Sequence, residues 1–318
     1  MLVGGAVVVL SFLVAFGAAL WALRNAERLG LVQMPNARSS HVKPTPTGGG
    51  IGIVLGMIVA GAYAAVQLGW TAGLVVGAAV LLAAVGLRDD VRSVHWTIRL
   101  GAQFVLFGIV AFTLLPPLLA IPALVGGVLF INIFNFMDGI DGIAGMEAAF
   151  AFLGAAVVIA ADTPAAWWLS ALAAACLGFL VLNLPPARIF MGDAGSTALG
   201  LTIASLAIFP VGLSLWQWLI LVAVFISDGL VTLGRRMMQG ERVFEAHRRH
   251  AYQLLSRRFG SHRAVTLGTL AINVIWLLPL AWFARDPTLA PWLTILAYAP
   301  LVAGAILVGA GKTQPGEV

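Results

Sequence analysis

Charge is scarce in this chain. Of 318 residues only 10% are charged and 61% are hydrophobic, whereas a typical soluble domain is about 25% charged. So few polar groups cannot cover a water-facing surface, which excludes a soluble globule and makes lipid the solvent. Cysteine is nearly missing as well. The single Cys176 lies in an apolar run, so no internal disulfide forms and a small core role follows. Stretches of alternating polarity are absent, which argues against a transmembrane β-barrel. No internal repeat and no separate soluble segment stand out, so residues 1–318 read as one integral membrane domain. The first apolar run has no basic residue ahead of it, while Arg24 and Arg28 follow it. That is the reverse of a cleavable signal, and the run is expected to be retained.

What the chain does have is a series of apolar runs of about 17–22 residues, each able to cross roughly 30 Å of hydrocarbon. Eleven spans are expected, at 2–23, 48–66, 70–87, 97–115, 118–136, 143–161, 165–183, 195–211, 215–234, 264–284 and 291–310. The expected fold class is an all-α polytopic membrane protein. With the amino terminus outside and the carboxyl terminus cytoplasmic, every basic residue except Arg285 falls on the inner side, as the positive-inside rule requires. The outer connections are short and carry almost no chemistry. Two inner segments are long, 24–47 and 235–263.

The acidic residues sit where lipid does not favour them. Asp89 and Asp90 end the third span, Asp138 and Asp141 follow the fifth, Asp193 precedes the eighth and Asp228 lies near the inner end of the ninth. All six fall on or near the inner face. Adjacent carboxylates at a helix carboxyl end repel each other and the helix dipole. Arg88 and Arg92 offset part of that in a solvated cluster; a divalent cation would offset it in a binding site, since hard cations take oxygen ligands. Asp138 and Asp141, three apart, share a face if their turn is helical, and Gly139 and Gly142 allow close backbone approach to a ligand. Asp141 could instead cap the sixth span. Asn132 and Asn135 need partners of their own. GDAGS, holding Asp193, reads either as a helix cap or as a phosphate seat at a helix amino terminus. Asp228 reads as an acid paired with Arg235 or Arg236.

Lysine is missing from 235–263, where eight arginines and three histidines lie within 29 residues. Such a loop fixes orientation against anionic lipid, and arginine suits bidentate phosphate contacts. His247 and His250 are three apart, so one helical face would carry both. Phosphate hydrogen bonding or proton transfer suits them better than zinc, for which no third ligand is near. In PNARSSHVKPTPTGGG, Lys43 and Thr47 stand beside Gly48, Gly49 and Gly50 at the mouth of the second span, a weak anion-binding signal that lacks the GxxxxGK[ST] pattern.

Taken in order, RSSHVKPTPTGGG, LRDD, NFMDGIDGIAG, NLPPARIFMGDAGS, SDGLVTLGRR and AHRRHAYQLL resemble the polyprenyl-phosphate N-acetylhexosamine-1-phosphate transferases (glycosyltransferase family 4). This membrane superfamily also contains the phospho-N-acetylmuramoyl-pentapeptide transferase of peptidoglycan synthesis. The matching stretches run from about Pro35 to Arg263. The resemblance implies transfer of a sugar 1-phosphate from a UDP-N-acetylhexosamine to undecaprenyl phosphate, giving the lipid-diphosphate sugar and UMP. It implies magnesium, with manganese as a substitute, at Asp193, Asp90 and Asp138. Asp89 and Asp90 match a pair that binds or deprotonates the lipid phosphate. Asp138 and Asp141 match acids near nucleotide and metal. Lys43, Asn183, Phe190 and Gly139 fall where relatives hold uridine, with Thr47, Asn135, Arg248 and Arg249 added as substrate contacts. His247 and His250 match the histidine motif of the basic loop.

The implied partners are the two substrates, the bilayer and a second copy of the chain, with no nucleic acid. The implied location is the bacterial inner membrane, with the site on the cytoplasmic face. His247-Arg248-Arg249-His250 departs from the consecutive histidines of peptidoglycan-type members and resembles the branch that starts O-antigen or other surface polysaccharides. Three other readings fit less well. An ion-coupled transporter would place its carboxylates at the midplane. A scaffold would tolerate asparagine at Asp89, Asp90 and Asp193 together. A CDP-alcohol phosphotransferase would carry DGxxAR followed by GxxxD.

Overall fold

The computed structural model describes residues 2–34, 44–160, 162–241 and 247–313. The apolar runs form helices whose ends follow from local turn chemistry. Helix α1 (Leu2–Leu29) leads into strand β1 (Val32–Gln33), which pairs antiparallel with β2 (Thr45–Pro46), Val32 opposite Pro46. Helices α2 (Gly50–Leu68) and α3 (Trp70–Val91) meet at Gly69, whose φ of 94° only glycine adopts without strain. Then come α4 (Trp96–Leu114), α5 (Pro117–Phe136), α6 (Ile143–Ile159) and α7 (Pro164–Asn183). Helices α5 and α7 each start on proline, which loses nothing there because a first-turn N–H has no helical partner. Thr163 caps α7 by accepting from Ala166 N.

Helix α8 (Asp193–Leu206) follows, then α9 (Leu215–Leu221) and α10 (Ala223–Met238), bent by 77° at Val222. The chain ends with α11 (Ala251–Phe259), α12 (His262–Ile272), a π-helical turn over Asn273–Leu277, α13 (Leu278–Phe283) and α14 (Ala290–Val308).

Among the described residues, eight helices are long and apolar enough to cross a bilayer, or nine if the bent α9–α10 pair is one span. The chain is thus an all-helical, multi-pass membrane protein. The count of eleven treated 143–161 and 195–211 as full crossings. The helices formed there have 17 and 14 residues, below the roughly 20 a perpendicular crossing uses.

The length of α8 reflects its position. Every residue from Ala194 to Leu206 is buried, so α8 is wrapped by other helices, while α1 and α14 lie at the periphery. Gly86 of α3 sets the depth at which α8 begins: a Cβ there would run into the Asp193 backbone. Asp90 lies one turn beyond Gly86 on the same face and so arrives at the start of α8. The carboxyl ends of α3, α5 and α7 and the amino ends of α2, α4, α6, α8 and α12 gather at this same end of the bundle.

Below that end α6 holds a fully buried acid. Glu147 Oε2 accepts from Asn273 Nδ2 at 2.6 Å, where the π-helical turn begins. Among the described residues Glu147 Oε1 and Asn273 Oδ1 have no partner, and such atoms are costly in an apolar interior. Glu147→Gln keeps an acceptor for the asparagine amide and adds a donor for its carbonyl, so the melting temperature of detergent-purified protein should hold or rise. Glu147→Ala strands the amide and should cost about 1–3 kcal/mol, read in the same melting experiment.

Candidate active site

The gathered helix ends enclose a cavity of about 730 Å³, in the range of small-molecule sites. Asp89, Asp90, Asp138, Asp141 and Asp193 all line it, with Thr47, Asn135, Gly139, Asn183, Phe190 and His247. Lys43 lies outside the described residues.

One wall is made by α3, α4 and α8. Asp90 Oδ1 accepts from Asp193 N at 2.8 Å, and its Oδ2 from Ala194 N at 3.2 Å. A carboxylate on α3 therefore caps α8, satisfying N–H groups at the positive end of the helix dipole. Gly192, with φ 74°, holds the N-cap position, and a Cβ there would overlap the Asp90 carboxylate. Asp193 is thus the first helical residue and not the cap. Asp89 Oδ1 accepts from Val94 N, and Arg99 Nη1 lies 2.5 Å from both Asp89 Oδ2 and Asp193 Oδ2. Asp89 and Asp90 are therefore no solvated cluster balanced by Arg88 and Arg92. Arg99 supplies the balancing charge, and Arg88 donates to the Arg92 carbonyl.

The second wall is the turn after α5. Residues 138–142 are not helical, yet Asp138 and Asp141 both reach the cavity. The Asp138 carboxylate accepts no hydrogen bond from any described residue. Burial, then the charges of Asp193, Asp90 and Asp141, push it up to about 7. Asp141 does not cap α6, because Gly142, at φ 77°, takes that place. Its Oδ2 accepts from Ala187 N at 3.0 Å, its Oδ1 lies 3.2 Å from His262 Nδ1, and its carbonyl accepts from Thr266 Oγ1. Asn135 donates to Ser196 Oγ, and Asn132 pairs with Gln103.

Asn183 Oδ1 accepts from Gly142 N while its Nδ2 donates to Ile189 O, so its amide clamps the second wall to the loop before α8. Phe190 accepts from Gly49 N and Met191 from Gly50 N. The glycine run is therefore no anion cradle at those two positions, because its N–H groups are taken by carbonyls. At Gly139 it is Tyr252 that approaches: its hydroxyl donates to Phe136 O, and a Cβ on Gly139 would collide with it.

The third wall is 247–253. Asp228 pairs with neither Arg235 nor Arg236. Its Oδ1 lies 3.1 Å from His250 Nδ1 and accepts from Ala251 N and Thr232 Oγ1, and its Oδ2 accepts from Tyr252 N. It caps α11 and anchors His250, which is 1% exposed. Arg236 pairs with Glu241, and Arg249 grips the same carboxylate with two nitrogens. Those bonds hold Glu241 down at about 2.

Arg248 and Arg249 therefore do not line the cavity, contrary to expectation; Glu241 takes the Arg249 guanidinium and Arg257 donates to the Arg248 carbonyl. Nor do His247 and His250 share a helical face, since the helix starts only at Ala251; their rings stack at 4.9 Å. His247 faces the cavity and His250 stands behind it. Burial, then the electrostatic influence of neighbouring His250, Arg236 and Arg249, lowers His247 to about 3, so it is uncharged at neutral pH.

Among the described residues no three acid, histidine or cysteine side chains stand close enough to hold a metal ion as placed. Asp90 serves α8 and Asp193 faces Arg99, which leaves Asp138 as the acid with no partner. Sequence reasoning missed Arg99, Tyr252 and His262 as members of the site. Arg99 counted only as a topological charge, although it lies in the first turn of the helix that follows the aspartate pair. His262 was one histidine in an arginine-rich loop, and nothing in its own neighbourhood marks it.

Comparison with known proteins places this geometry in context. Residues 72–211 match the family model described as glycosyl transferase family 4. The decaprenyl-phosphate N-acetylglucosaminephosphotransferase of Mycobacterium tuberculosis is 31% identical, over 76% of this chain and 73% of that protein. The undecaprenyl-phosphate alpha-N-acetylglucosaminyl 1-phosphate transferase of Escherichia coli K12 is 29% identical, over 80% and 77%. A phospho-N-acetylmuramoyl-pentapeptide-transferase of Synechocystis is 38% identical, over only 33% of this chain and 28% of its own length.

Asp138 yields a pH test. Its raised value means that its stabilising contribution is present at low pH and lost as pH rises through about 7. Asp138→Asn should therefore raise the melting temperature of the purified, ligand-free protein more at pH 8 than at pH 5. An equal shift at both would show that the carboxylate carries no such load.

Proposed function

Because the chain belongs to glycosyl transferase family 4, we propose that it transfers the sugar 1-phosphate of a UDP-N-acetylhexosamine to undecaprenyl phosphate, yielding undecaprenyl-diphosphate-sugar and UMP, and so starts O-antigen or another surface polysaccharide. The observation that carries this reading is five aspartates lining one cavity at one end of a membrane bundle. A site for two phosphorylated substrates, one soluble and one in lipid, belongs at that interface. N-acetylglucosamine is the first sugar to test, because relatives aligned over about three-quarters of the chain are named for it. The pentapeptide transferase aligns over a third, which favours the amino-sugar reading over the peptidoglycan one. Carboxylates gathered at one end also speak against a transporter working at the midplane.

In the proposed reaction an oxygen of the lipid phosphate attacks the sugar-bearing phosphorus of the donor. The bond from that phosphorus to the bridging oxygen breaks, and UMP leaves with the electron pair. His247, uncharged and facing the cavity, is able to accept a hydrogen bond or a proton there. Arg99 keeps Asp89 and Asp193 fixed and lessens the repulsion an incoming phosphate meets. The donor set suits magnesium, or manganese in its place: carboxylate oxygens are the ligands of hard cations, and the unbalanced charge on Asp138 calls for one. Asp138 and Asp193 would hold the ion. Once bound, it would offset charge on the transferring phosphoryl group.

The proposed orientation puts the amino terminus outside and this end of the bundle in the bacterial cytoplasm, with α6 and α8 completing eleven crossings. What supports it is the gathering of all basic residues but Arg285 on one side of those crossings. Purified protein given undecaprenyl phosphate and a panel of UDP-sugars should release one UMP per lipid-linked product. Chelation should stop the reaction and magnesium restore it. Asp193→Asn should lower turnover by about a hundredfold or more with unchanged purification behaviour. Wild-type turnover by that variant would remove Asp193 from the mechanism.

A further inference from the structure

His262 opens α12, at the end of the arginine-rich segment 235–263, where its residue type alone gave it no role. In the structure it lines the cavity, with 22% of its side chain exposed, and its Nδ1 lies 3.2 Å from Asp141 Oδ1. The opposite oxygen is held by Ala187 N and the Asp141 carbonyl by Thr266, one turn further along α12. Helix α12 thus grips residue 141 twice. The same Nδ1 accepts from Asp141 N at 3.4 Å, so the ring meets both the backbone and the carboxylate of residue 141 and stands as a fixed brace.

The surroundings separate this corner from the wall that handles phosphate. Arg99, Asp89, Asp90 and Asp193 stand on α3, α4 and α8. Asp141 is tied to the loop before α8 through Ala187 N, and Asn183 to the neighbouring Gly142 N; that loop brings the Phe190 ring to the same cavity, and an aromatic ring with an amide suits a flat heteroaromatic base with N–H groups. Resting on the proposed transferase reading, we propose that His262 is a positioning residue for the nucleoside half of the donor: it holds Asp141 where that carboxylate meets the base.

The expected consequence is a split between binding and chemistry. His262→Ala should raise the KM for the UDP-sugar about tenfold, the loss of about one net hydrogen bond, with kcat and the KM for undecaprenyl phosphate within twofold of wild type. His262→Asn places a polar amide atom where Nδ1 stood, within reach of the Asp141 backbone N–H, and should restore most of the donor KM, which a mere packing role would not produce. It also keeps the test open if the alanine variant fails to fold. With wild type active, an unchanged donor KM in His262→Ala, a loss confined to kcat, or no rescue by asparagine would overturn the assignment. Failure of wild type to release UMP from any UDP-sugar would overturn the transferase reading and this assignment with it.

Discussion

The seat of Asp90 on the amino terminus of α8 is the contact on which the site depends. It joins the end of one helix to the start of another across 103 residues of sequence. The small residues around it, Gly86 and Gly192, exist to let the two backbones meet. In lipid an exposed helix start is costly, since no water reaches its free N–H groups. Capping from another helix removes that cost and fixes Asp193 as the next group in line. Arg99 then ties Asp193 to Asp89. Three acids that would repel one another become a fixed wall because each is held: Asp90 by the amino terminus of α8, Asp89 and Asp193 by the guanidinium they share, and Asp89 by a loop N–H as well.

The same device recurs on the opposite wall. Asp228 caps α11 while anchoring His250, and His250 backs the ring of His247. Tyr252, next along α11, reaches the carbonyl at the end of α5 over a glycine that cannot be larger. The arginines nearby work on the architecture: Arg235 binds the last carbonyls of α14, and Arg236 and Arg249 share Glu241. Charge in this protein is arranged so that structural pairs surround the cavity, while Asp138, placed among them, is left without a hydrogen bond from any described residue.

Much of this was legible from residue types alone. Apolar run length gave the helices, and the one-sided basic residues gathered the acids at one end. NFMDGIDGIAG and GDAGS were marked as chemical because their carboxylates and glycines sit where a span should end. What could not be read was who partners whom. The i, i+3 rule assumed a helix at 138–141 where a turn exists, and again at 247–250. A cap was sought in Asp141 for α6 and in GDAGS for α8, yet Gly142 holds the first place, and α8 and α11 are capped by aspartates from elsewhere in the chain. Arg249 looked like a phosphate ligand because guanidinium chemistry is the same whether its anionic partner is a substrate or Glu241. Pairing over long sequence separation is a property of packing, and it appears only once the helices are placed. Hydropathy likewise does not distinguish a helix surrounded by protein from one in lipid, so the short α8 read as an ordinary span.

The walls of the cavity come from helices that thread the bilayer in alternating directions, and none of them owns a complete set of groups. A copy in which one hairpin is inserted upside down would carry its aspartate to the far compartment and leave its capped neighbour bare. Such a molecule would be inert and not merely slow or indiscriminate. Correct threading and competence are therefore one event, and a cell making this protein is spared products from molecules that are only partly assembled.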